Sequence, residues 1–451
     1  MRYLALTQND RQEMLEAIGV NSVEDLFRDV PQNVQLKKLL DLPGHMGEWE
    51  VENYLDTFAN ANQTTKTLTS FLGAGAYRHH LPAAVDSLIQ RGEFLTSYTP
   101  YQPEVSQGTL QYLFEFQTQV ALLTGMDVAN ASLYDGASGT AEAALMANRI
   151  TKRNKVLISG GLHPHYTDAV NTYAHFAEFD VETLEPNIEN EEDLLSKIDD
   201  TYSCCIIQNP SLFGQLYDLS DLSKKCHEHG VLLAVVVTEV ISLSKLKSPG
   251  SMGADIVVAE GQSLGNPLNY GGPYLGLMAT RDKYVRHMPG RISGQTVDSD
   301  GKRGWVLTLA AREQHIRRER ATSNICTNSG LCALAFTIHL ALLGEKGFRR
   351  LGDVNHANAV QLAEKLEKIP QVTVVNDTFF NEFTLKLPKN ADLVMKKLLS
   401  KGLLAGVPLS RLYPEKKELA PYLLVAATEL TTEADQDKLV ARLKVVLQEA
   451  L

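Results

Sequence analysis

The chain has 451 residues, of which 44% are hydrophobic and 22% are charged, a composition typical of a soluble globular protein large enough for two domains. Its formal net charge of −11 argues against nucleic-acid binding, because contact with phosphates needs a basic surface, and its five cysteines show no metal-ligand spacing. No run of 18 apolar residues and no apolar core of a signal peptide is present, so we expect a cytoplasmic protein that does not span a membrane.

Residues 1–65 are predicted to form an arm of short helices. Residues 22–25 resemble a capping box, and residues 47–61 carry apolar side chains at helical spacing. An arm of this length has too little apolar surface to fold alone. We therefore expect it to pack on the rest of the chain or on a partner.

Residues 66–345 show helices alternating with apolar strands, which is typical of a large α/β domain with a mostly parallel sheet. The predicted helices are at 107–124, 138–150, 164–177 and 219–229, and the predicted strands are at 155–159, 204–208, 231–237 and 255–259. A polar, arginine-rich loop region follows residue 281, and a long helical pattern begins near residue 329.

Residues 346–451 are predicted to form a smaller C-terminal α+β domain. Its predicted strands are at 372–375, 383–387 and 422–426, and its predicted helices are at 391–401 and 432–449. A large parallel-sheet domain followed by a small α+β domain is the layout of the PLP-dependent transferase-like fold of type I, where PLP is pyridoxal phosphate.

The segment 231–280 has the strand order found at the centre of such an enzyme, which carries an aspartate after the first strand and a Schiff-base lysine after the second. Here residues 231–247 contain no aspartate, and residues 248–282 contain no lysine. Gln262 and Ser263 stand where the lysine is expected. Because neither an amide nor a hydroxyl forms an imine with an aldehyde, the sequence predicts no catalytic nucleophile in this chain and no covalently held PLP.

Two further motifs fit either a cofactor site or ordinary structure. Ser138, Gly139 and Thr140 open a helix, whose free amides and dipole would favour a phosphate, but small residues also suit a plain N-cap. His163 follows a strand, where a ring can face the ligand crevice of an α/β fold, although a loop histidine bonded to neighbouring carbonyls is equally consistent.

Two polar motifs are open to similar alternatives. Tyr98, Tyr101 and Glu104 lie in a proline-fixed span that would suit a rigid lip over a cleft or a structural turn. The densest basic run would suit a solvated, salt-bridged helix face, a docking patch for an acidic partner or a carboxylate-binding site. Its members are Arg312, Arg317, Arg318 and Arg320.

Taken together, four segments resemble the P-protein family of the glycine cleavage system, and within it the N-terminal-half type that forms subunit 1 of split glycine dehydrogenase (decarboxylating). The segments are 70–82 (SFLGAGAYRHHLP), 95–143, 260–276 (EGQSLGNPLNYGGPYLG) and 301–328. The most specific parts are TPYQPE at 99–104 and AREQHIRRE at 311–319.

The resemblance implies a subunit of glycine decarboxylase in an α2β2 assembly, whose homologous second subunit carries PLP and its lysine. The family decarboxylates glycine with PLP and transfers the aminomethyl group to the lipoyl group of H-protein. It further implies that Tyr98, Tyr101 and Glu104 form a lip at the partner's active site.

By the same resemblance, a vestigial cofactor pocket would be lined by Ser138, Gly139, Thr140 and His163. One departure from the family is Thr238-Glu239-Val240, where an Asn-Pro pair is expected. Glu239 is predicted to add negative charge to the pocket and so to disfavour PLP further. The alternative hypothesis is a non-catalytic PLP-fold pseudoenzyme that acts as a scaffold or regulator.

Overall fold

The computed structural model describes residues 6–38, 40–189 and 192–449, and the chain divides into two compact units, Met1–Gln63 and Thr64–Leu451. The first unit contains helices α1 (Gln8–Ile18) and α2 (Glu48–Ala61), and α2 confirms the helix predicted at 47–61. No residue of α2 is buried.

The second unit begins with a two-residue strand, β1 (Thr69–Ser70). The helices that follow are α3 (Ala83–Ile89), α4 (Gly92–Leu95), α5 (Gln107–Thr124), α6 (Gly136–Thr151), α7 (Pro164–Ala177), α8 (Ser220–Glu228), α9 (Gln314–Arg317), α10 (Gly330–Glu367), α11 (Ala391–Leu399), α12 (Leu409–Leu412) and α13 (Glu433–Gln448). The long predicted helices are confirmed to within a few residues at their ends.

A seven-stranded sheet forms the centre of the described part of this unit, in the order β2-β8-β7-β6-β5-β3-β4. The strands are β2 (Val128–Ala129), β3 (Lys155–Ile158), β4 (Asp180–Thr183), β5 (Cys204–Gln208), β6 (Leu232–Val237), β7 (Ile256–Glu260) and β8 (Gly276–Thr280). The neighbours from β7 to β4 pair in parallel, whereas β8 is antiparallel to both β7 and β2. The predicted mostly parallel sheet is thereby confirmed.

Helices cover both faces of this sheet, which explains why β6 reads Leu-Leu-Ala-Val-Val-Val without a polar residue. Val235 belongs to the core layer with Phe116 of α5 and Phe336 of α10, and Val236 belongs to the opposite layer with Met146 of α6. Successive side chains of a strand point to opposite faces, so a doubly covered strand must be apolar throughout.

The region after residue 281 was predicted as a loop, and this prediction is wrong in part. Strands β9 (Ile292–Val297) and β10 (Arg303–Thr308) form an antiparallel hairpin. The Gln107 side chain of α5 anchors the hairpin, because its Oε1 accepts the Trp305 N–H and its Nε2 donates to the Trp305 carbonyl, each at 2.8 Å.

A second, antiparallel sheet lies in the C-terminal part. It has the order β11-β12-β15-β14 and consists of β11 (Thr373–Val374), β12 (Glu382–Lys386), β14 (Val407–Pro408) and β15 (Tyr422–Ala426). The strand β13 (Leu403–Leu404) pairs in parallel with β1, and Phe71 joins the core beside this sheet. A segment that precedes the large sheet in sequence therefore packs beside the C-terminal sheet.

Helix α10 joins the two parts and is interrupted at Gly344, whose φ of 58° and ψ of −178° are not helical. Among the described residues it has the length and apolar composition of a membrane span, a test that core helices of soluble proteins also pass. Phe336 of this helix packs edge-on against Phe116 of α5 at a centroid distance of 5.5 Å. The first half of α10 is thus packed as a core helix.

Candidate functional site

The residues at the expected lysine position lie directly after β7. Gln262 is 2% exposed, and both ends of its amide are bonded: Nε2 donates to the Asn266 carbonyl at 2.8 Å, and Oε1 accepts the Tyr77 N–H at 3.0 Å. Ser263 is buried beside it, and its hydroxyl has no hydrogen-bond partner among the described residues. The Gln262 side chain therefore ties two distant segments together.

The predicted anion-binding residues lie in the first turns of α6, where the amides are already bonded within the chain. Asp135 is the N-cap: its Oδ1 accepts the Ser138 N–H at 2.7 Å, and its carbonyl accepts the Gly139 N–H at 3.0 Å. The Thr140 hydroxyl donates to the Gly136 carbonyl at 2.8 Å. These residues form a closed capping box, which is the structural alternative left open by the sequence.

A second carboxylate, that of Glu260 at the end of β7, reaches the same helix terminus. Its Oε2 accepts the Gly136 N–H at 3.0 Å, and its Oε1 accepts the N–H groups of Gln262 at 3.1 Å and Leu275 at 2.9 Å. Burial raises the pKa of Glu260 to about 8, although these three donors favour the ionised form. A phosphate here would meet the carboxyl groups of Asp135 and Glu260 instead of free amides.

Residues 73–80 occupy the space at the C-terminal ends of the strands. The Ala74 N–H donates to Glu382 Oε1 at 2.6 Å, and the Tyr77 hydroxyl donates to Glu382 Oε2 at 2.7 Å. Burial raises the pKa of Glu382 to about 7 against the effect of these two donors. The buried Tyr77 ring and the Glu382 carboxyl thereby hold this segment between the large sheet and the small one.

The His79 ring bridges a buried carboxylate, that of Glu239, and a half-buried one, that of Glu429. Its Nε2 lies 2.9 Å from Glu239 Oε2, and its Nδ1 lies 2.8 Å from Glu429 Oε2. Burial lowers the pKa of His79, but the charges and hydrogen bonds of both glutamates outweigh this and raise the pKa to about 10. Glu239 enters the pocket, where the protonated His79 balances the charge of one of its two carboxylate partners.

His163 lies at the same end of the sheet, with its polar groups bonded inside the chain. Its N–H donates to Gln208 Oε1 at 3.0 Å, and its Nδ1 accepts the His165 N–H at 3.1 Å. Burial and the neighbouring His165 lower the pKa of His163 to about 4, against a hydrogen bond to the Ala74 backbone. The neutral ring faces Gly75, where an added Cβ would lie 3.6 Å from Cδ2.

The space left between these groups is small. A cavity of about 10 Å³ is lined in part by Tyr77, Thr238 and Glu239, which is room for roughly one water molecule. The lysine position holds a bonded glutamine, the helix terminus is capped by two carboxylates, and residues 73–80 fill the intervening volume. The residues of this pocket do not fit PLP.

The predicted lip lies in the segment between α4 and α5. Tyr98 is 82% exposed, Tyr101 is 59% exposed, and Glu104 follows in a 3-10 turn at Pro103–Val105. The Tyr101 ring lies 5.3 Å from the Arg291 guanidinium carbon and meets the His315 ring edge-on at 6.3 Å. The structure thus brings the lip motif against the arginine-rich motif.

The four arginines proposed for docking fall into two groups. Arg312 is half-buried and donates to the carbonyls of Met288, Gly290 and Leu309, and burial lowers its pKa. Its assignment as a docking cation is corrected, because its guanidinium is committed to the backbone. The exposed members are Arg317, Arg318 and Arg320.

Sequence analysis did not assign roles to Glu260, His79 or Arg291. Glu260 lies at the end of an apolar strand, two residues before Gln262, so the sequence does indicate a buried carboxylate at this position. His79 and Arg291 show no comparable local signal, because their partners lie far away in the sequence.

Known proteins resemble the chain over nearly all of its length. The family model described as "Glycine cleavage system P-protein" matches residues 1–443. "Probable glycine dehydrogenase (decarboxylating) subunit 1" of Rhodospirillum centenum (strain ATCC 51521 / SW) is 62% identical, covering 99% of this chain and 100% of the relative. The protein of the same name from Caulobacter vibrioides (strain NA1000 / CB15N) is 56% identical, covering 96% and 97%.

Solved structures give the same picture. A crystal structure of glycine decarboxylase (P-protein) of the glycine cleavage system, in inhibitor-bound form, superposes with a TM-score of 0.90 at 42% identity, covering 99% of this chain and 100% of that one. The Lactobacillus brevis glutamate decarboxylase, at 14% identity and a TM-score of 0.68, covers 94% and 99% and shares the fold alone. These neighbours confirm the predicted PLP-dependent transferase-like fold of type I.

Proposed function

Because the chain belongs to the glycine cleavage system P-protein family, we propose that it is the subunit of a glycine decarboxylase that lacks the Schiff-base lysine. A homologous second chain supplies that lysine and binds PLP in an α2β2 assembly. The observation that carries the proposal is Gln262, which stands at the lysine position with both ends of its amide bonded. A chain of this fold without the lysine takes part in the reaction only beside one that has it.

In this proposal the chain contributes a wall of the partner's site. PLP in the second chain supplies the electron sink for decarboxylation of glycine. Tyr98, Tyr101 and Glu104 form the lip past which the lipoyl group of H-protein enters, and their exposure supports this role. The exposed Arg317, Arg318 and Arg320 provide positive charge for an acidic partner surface.

The pocket of this chain is filled by its own residues, which supports a complex in which only the second chain binds PLP. The internal partners of Glu260, His79 and Glu382 give this chain a fixed structure without a cofactor. A rigid non-catalytic half positions the lip with little cost in conformational entropy.

The test is co-expression of this chain with its homologous second chain, followed by an assay of glycine-dependent CO₂ exchange with lipoylated H-protein. We expect exchange only when both chains are present. A second chain with its PLP-lysine changed to alanine serves as the control and should abolish exchange in the complex. Full exchange by the second chain alone, without a stable complex, would favour the alternative of a scaffold or regulatory pseudoenzyme.

A further inference from the structure

Arg291 is a buried cation outside the pocket described above, and it lies just before β9. It is 4% exposed, and its carbonyl accepts the Ala131 N–H at 2.8 Å, which fixes its backbone beside β2 at the edge of the large sheet. An arginine is seldom buried unless its guanidinium is bonded to specific groups.

The guanidinium of Arg291 joins two parts of the segment that follows β10. Its Nε donates to Glu313 Oε2 at 3.2 Å, Nη1 donates to Thr327 Oγ1 at 2.6 Å, and Nη2 donates to the Cys326 carbonyl at 3.3 Å. All three nitrogens are used, in a planar fork that a lysine does not reproduce.

The same guanidinium lies against the Tyr101 ring, at 5.3 Å from its centroid. Thr99 Oγ1 lies 3.5 Å from Thr327 Oγ1, so the lip also touches a residue that Arg291 holds. The Tyr101 ring is 59% exposed. Among the described residues, Arg291 makes a cation–π contact with this ring and His315 makes an edge-on ring contact with it. The conformation of this ring therefore depends on Arg291.

We infer that Arg291 is a positioning residue that sets the conformation of Tyr101 and thereby the shape of the lip. The inference rests on the proposed function in one respect: the lip affects catalysis only if it borders the partner's site. The contact between a buried cation and a half-exposed ring is of the kind that holds a side chain in one orientation. Arg291 touches no reacting group and acts through Tyr101.

The first test needs only this chain. Tyr98 and Tyr101 lie in one short segment, so nitration of the two rings by tetranitromethane can be compared within one peptide by mass spectrometry. We expect Arg291→Met to change the nitration of Tyr101 relative to Tyr98, because it removes the cation packed against the Tyr101 ring. The control is Arg281→Met, because the half-buried Arg281 donates to the carbonyls of Ala254 and Gly250 and not to the groups that Arg291 holds. An unchanged ratio in a folded Arg291→Met variant would overturn the inference.

The second test uses the complex with the second chain and a double-mutant cycle. Arg291→Met and Tyr101→Ala should each raise KM for lipoylated H-protein by about two- to thirtyfold, the range expected for a contact of this type, with little change in kcat. The double variant should lose no more than the larger single effect, because Arg291 acts through Tyr101. Arg291→Lys, which keeps the charge without the fork, should fall between wild type and Arg291→Met.

The outcomes separate the two proposals. Independent effects of Arg291→Met and Tyr101→Ala, or an equal loss in Arg281→Met, would overturn the positioning role while the proposed function stands. Full exchange by the second chain without this chain would overturn the proposed function, and the nitration ratio would still test the contact between Arg291 and Tyr101.

Discussion

His79 carries the positive charge of a pocket that otherwise contains buried carboxyl groups. Its two partners, Glu239 and Glu429, belong to the end of the large sheet and to the turn before α13. For Glu429, burial raises the pKa, but the hydrogen bond and charge of His79 outweigh it and lower the pKa to about 2. Removing one member of such a bridge leaves buried charge unpaired, which costs about 3–5 kcal/mol.

The first prediction concerns pH. The folded-state pKa of His79 is about 10 against 6.5 for the free group, so its protonation stabilises the fold fully below pH 6.5 and progressively less as pH rises toward 10. We expect the free energy of unfolding of wild type minus that of His79→Gln to be largest below pH 6.5 and to shrink toward pH 10. Urea denaturation at a series of pH values measures this difference.

The control is His175→Gln, because His175 is exposed at the end of α7 and should leave the stability nearly unchanged at each pH. A difference between wild type and His79→Gln that is constant or grows with pH would contradict the bridge.

The second prediction is that a lysine at position 262 does not restore PLP binding. Gln262→Lys removes the acceptor of the Tyr77 N–H, which should cost about 1–3 kcal/mol, and it leaves the helix terminus capped by Asp135 and Glu260. After incubation with PLP and reduction with borohydride, we expect no stoichiometric pyridoxyl label on the peptide that contains residue 262. The control is wild-type chain treated in the same way, which measures the background labelling of surface lysines. Complete labelling at position 262 would show that the pocket does accept the cofactor.

Among single residues, the sequence was sufficient to identify the missing lysine but not the groups that replace the cofactor. Gln262 is recognised by its position after an apolar strand. The role of Glu260 depends on the distance between the end of β7 and the start of α6, and that distance is set by packing of the whole sheet. Pairing of His79 with Glu429 joins residues 350 positions apart, which no local pattern reveals.

Among the structural elements, the segment after β1 depends on close packing of its backbone. An added Cβ at Gly73 would clash with the Glu382 carboxylate and lie 2.8 Å from Ala426 Cβ. Gly75 has a φ of 92°, which favours glycine. These two glycines let the chain pass between the two sheets.

The third prediction follows from this packing. Gly73→Ala should destabilise the protein by about 1–3 kcal/mol, the range for overpacking in a filled core, or displace residues 73–80. Gly108→Ala is the control, since Gly108 lies in α5 with nothing near its added Cβ and should gain up to about 1 kcal/mol. Chemical denaturation compares the two variants. Equal stability of both variants would contradict the close contact at Gly73.

The elements that could not be predicted have sequence patterns that are weak, or they form only by pairing with distant residues. The hairpin β9–β10 contains Ser293, Gly294 and Gln295 in one strand and alternates poorly, so its regularity comes from pairing with its partner strand. The pair β1–β13 is two residues long on each side. By contrast, the fully buried strands β5, β6 and β7 have continuous apolar runs and were predicted within a few residues.

At the scale of the whole molecule, the first unit exposes a large apolar surface. On α2, Tyr54, Leu55 and Phe58 share one face at helical spacing and are each more than half exposed. Monomeric soluble proteins seldom expose such a cluster, so this face is suited to burial against a partner.

The fourth prediction is that this face contributes to association with the second chain. The double substitution Tyr54→Asp and Phe58→Asp should weaken the complex by at least about tenfold in Kd, because buried aromatic residues dominate interface energies. Phe176→Asp, at an exposed aromatic of α7, is the matched control and should change Kd little. Calorimetric titration with the second chain measures both. Unchanged binding by the double variant would assign the arm another role.

The pairing of β1 with β13 and the contacts of residues 73–80 have a consequence for biosynthesis. Ala74 and Glu382 are 308 residues apart, and Thr69 and Asp435 are 366 residues apart. At ribosomal rates of roughly 5–20 residues per second, synthesis of the partners follows synthesis of the early segment by a time on the order of 15–60 seconds. Until then the ends of the large-sheet strands are uncovered. The nascent chain should therefore depend on chaperones longest at these strand ends, which residues 73–80 cover in the finished protein.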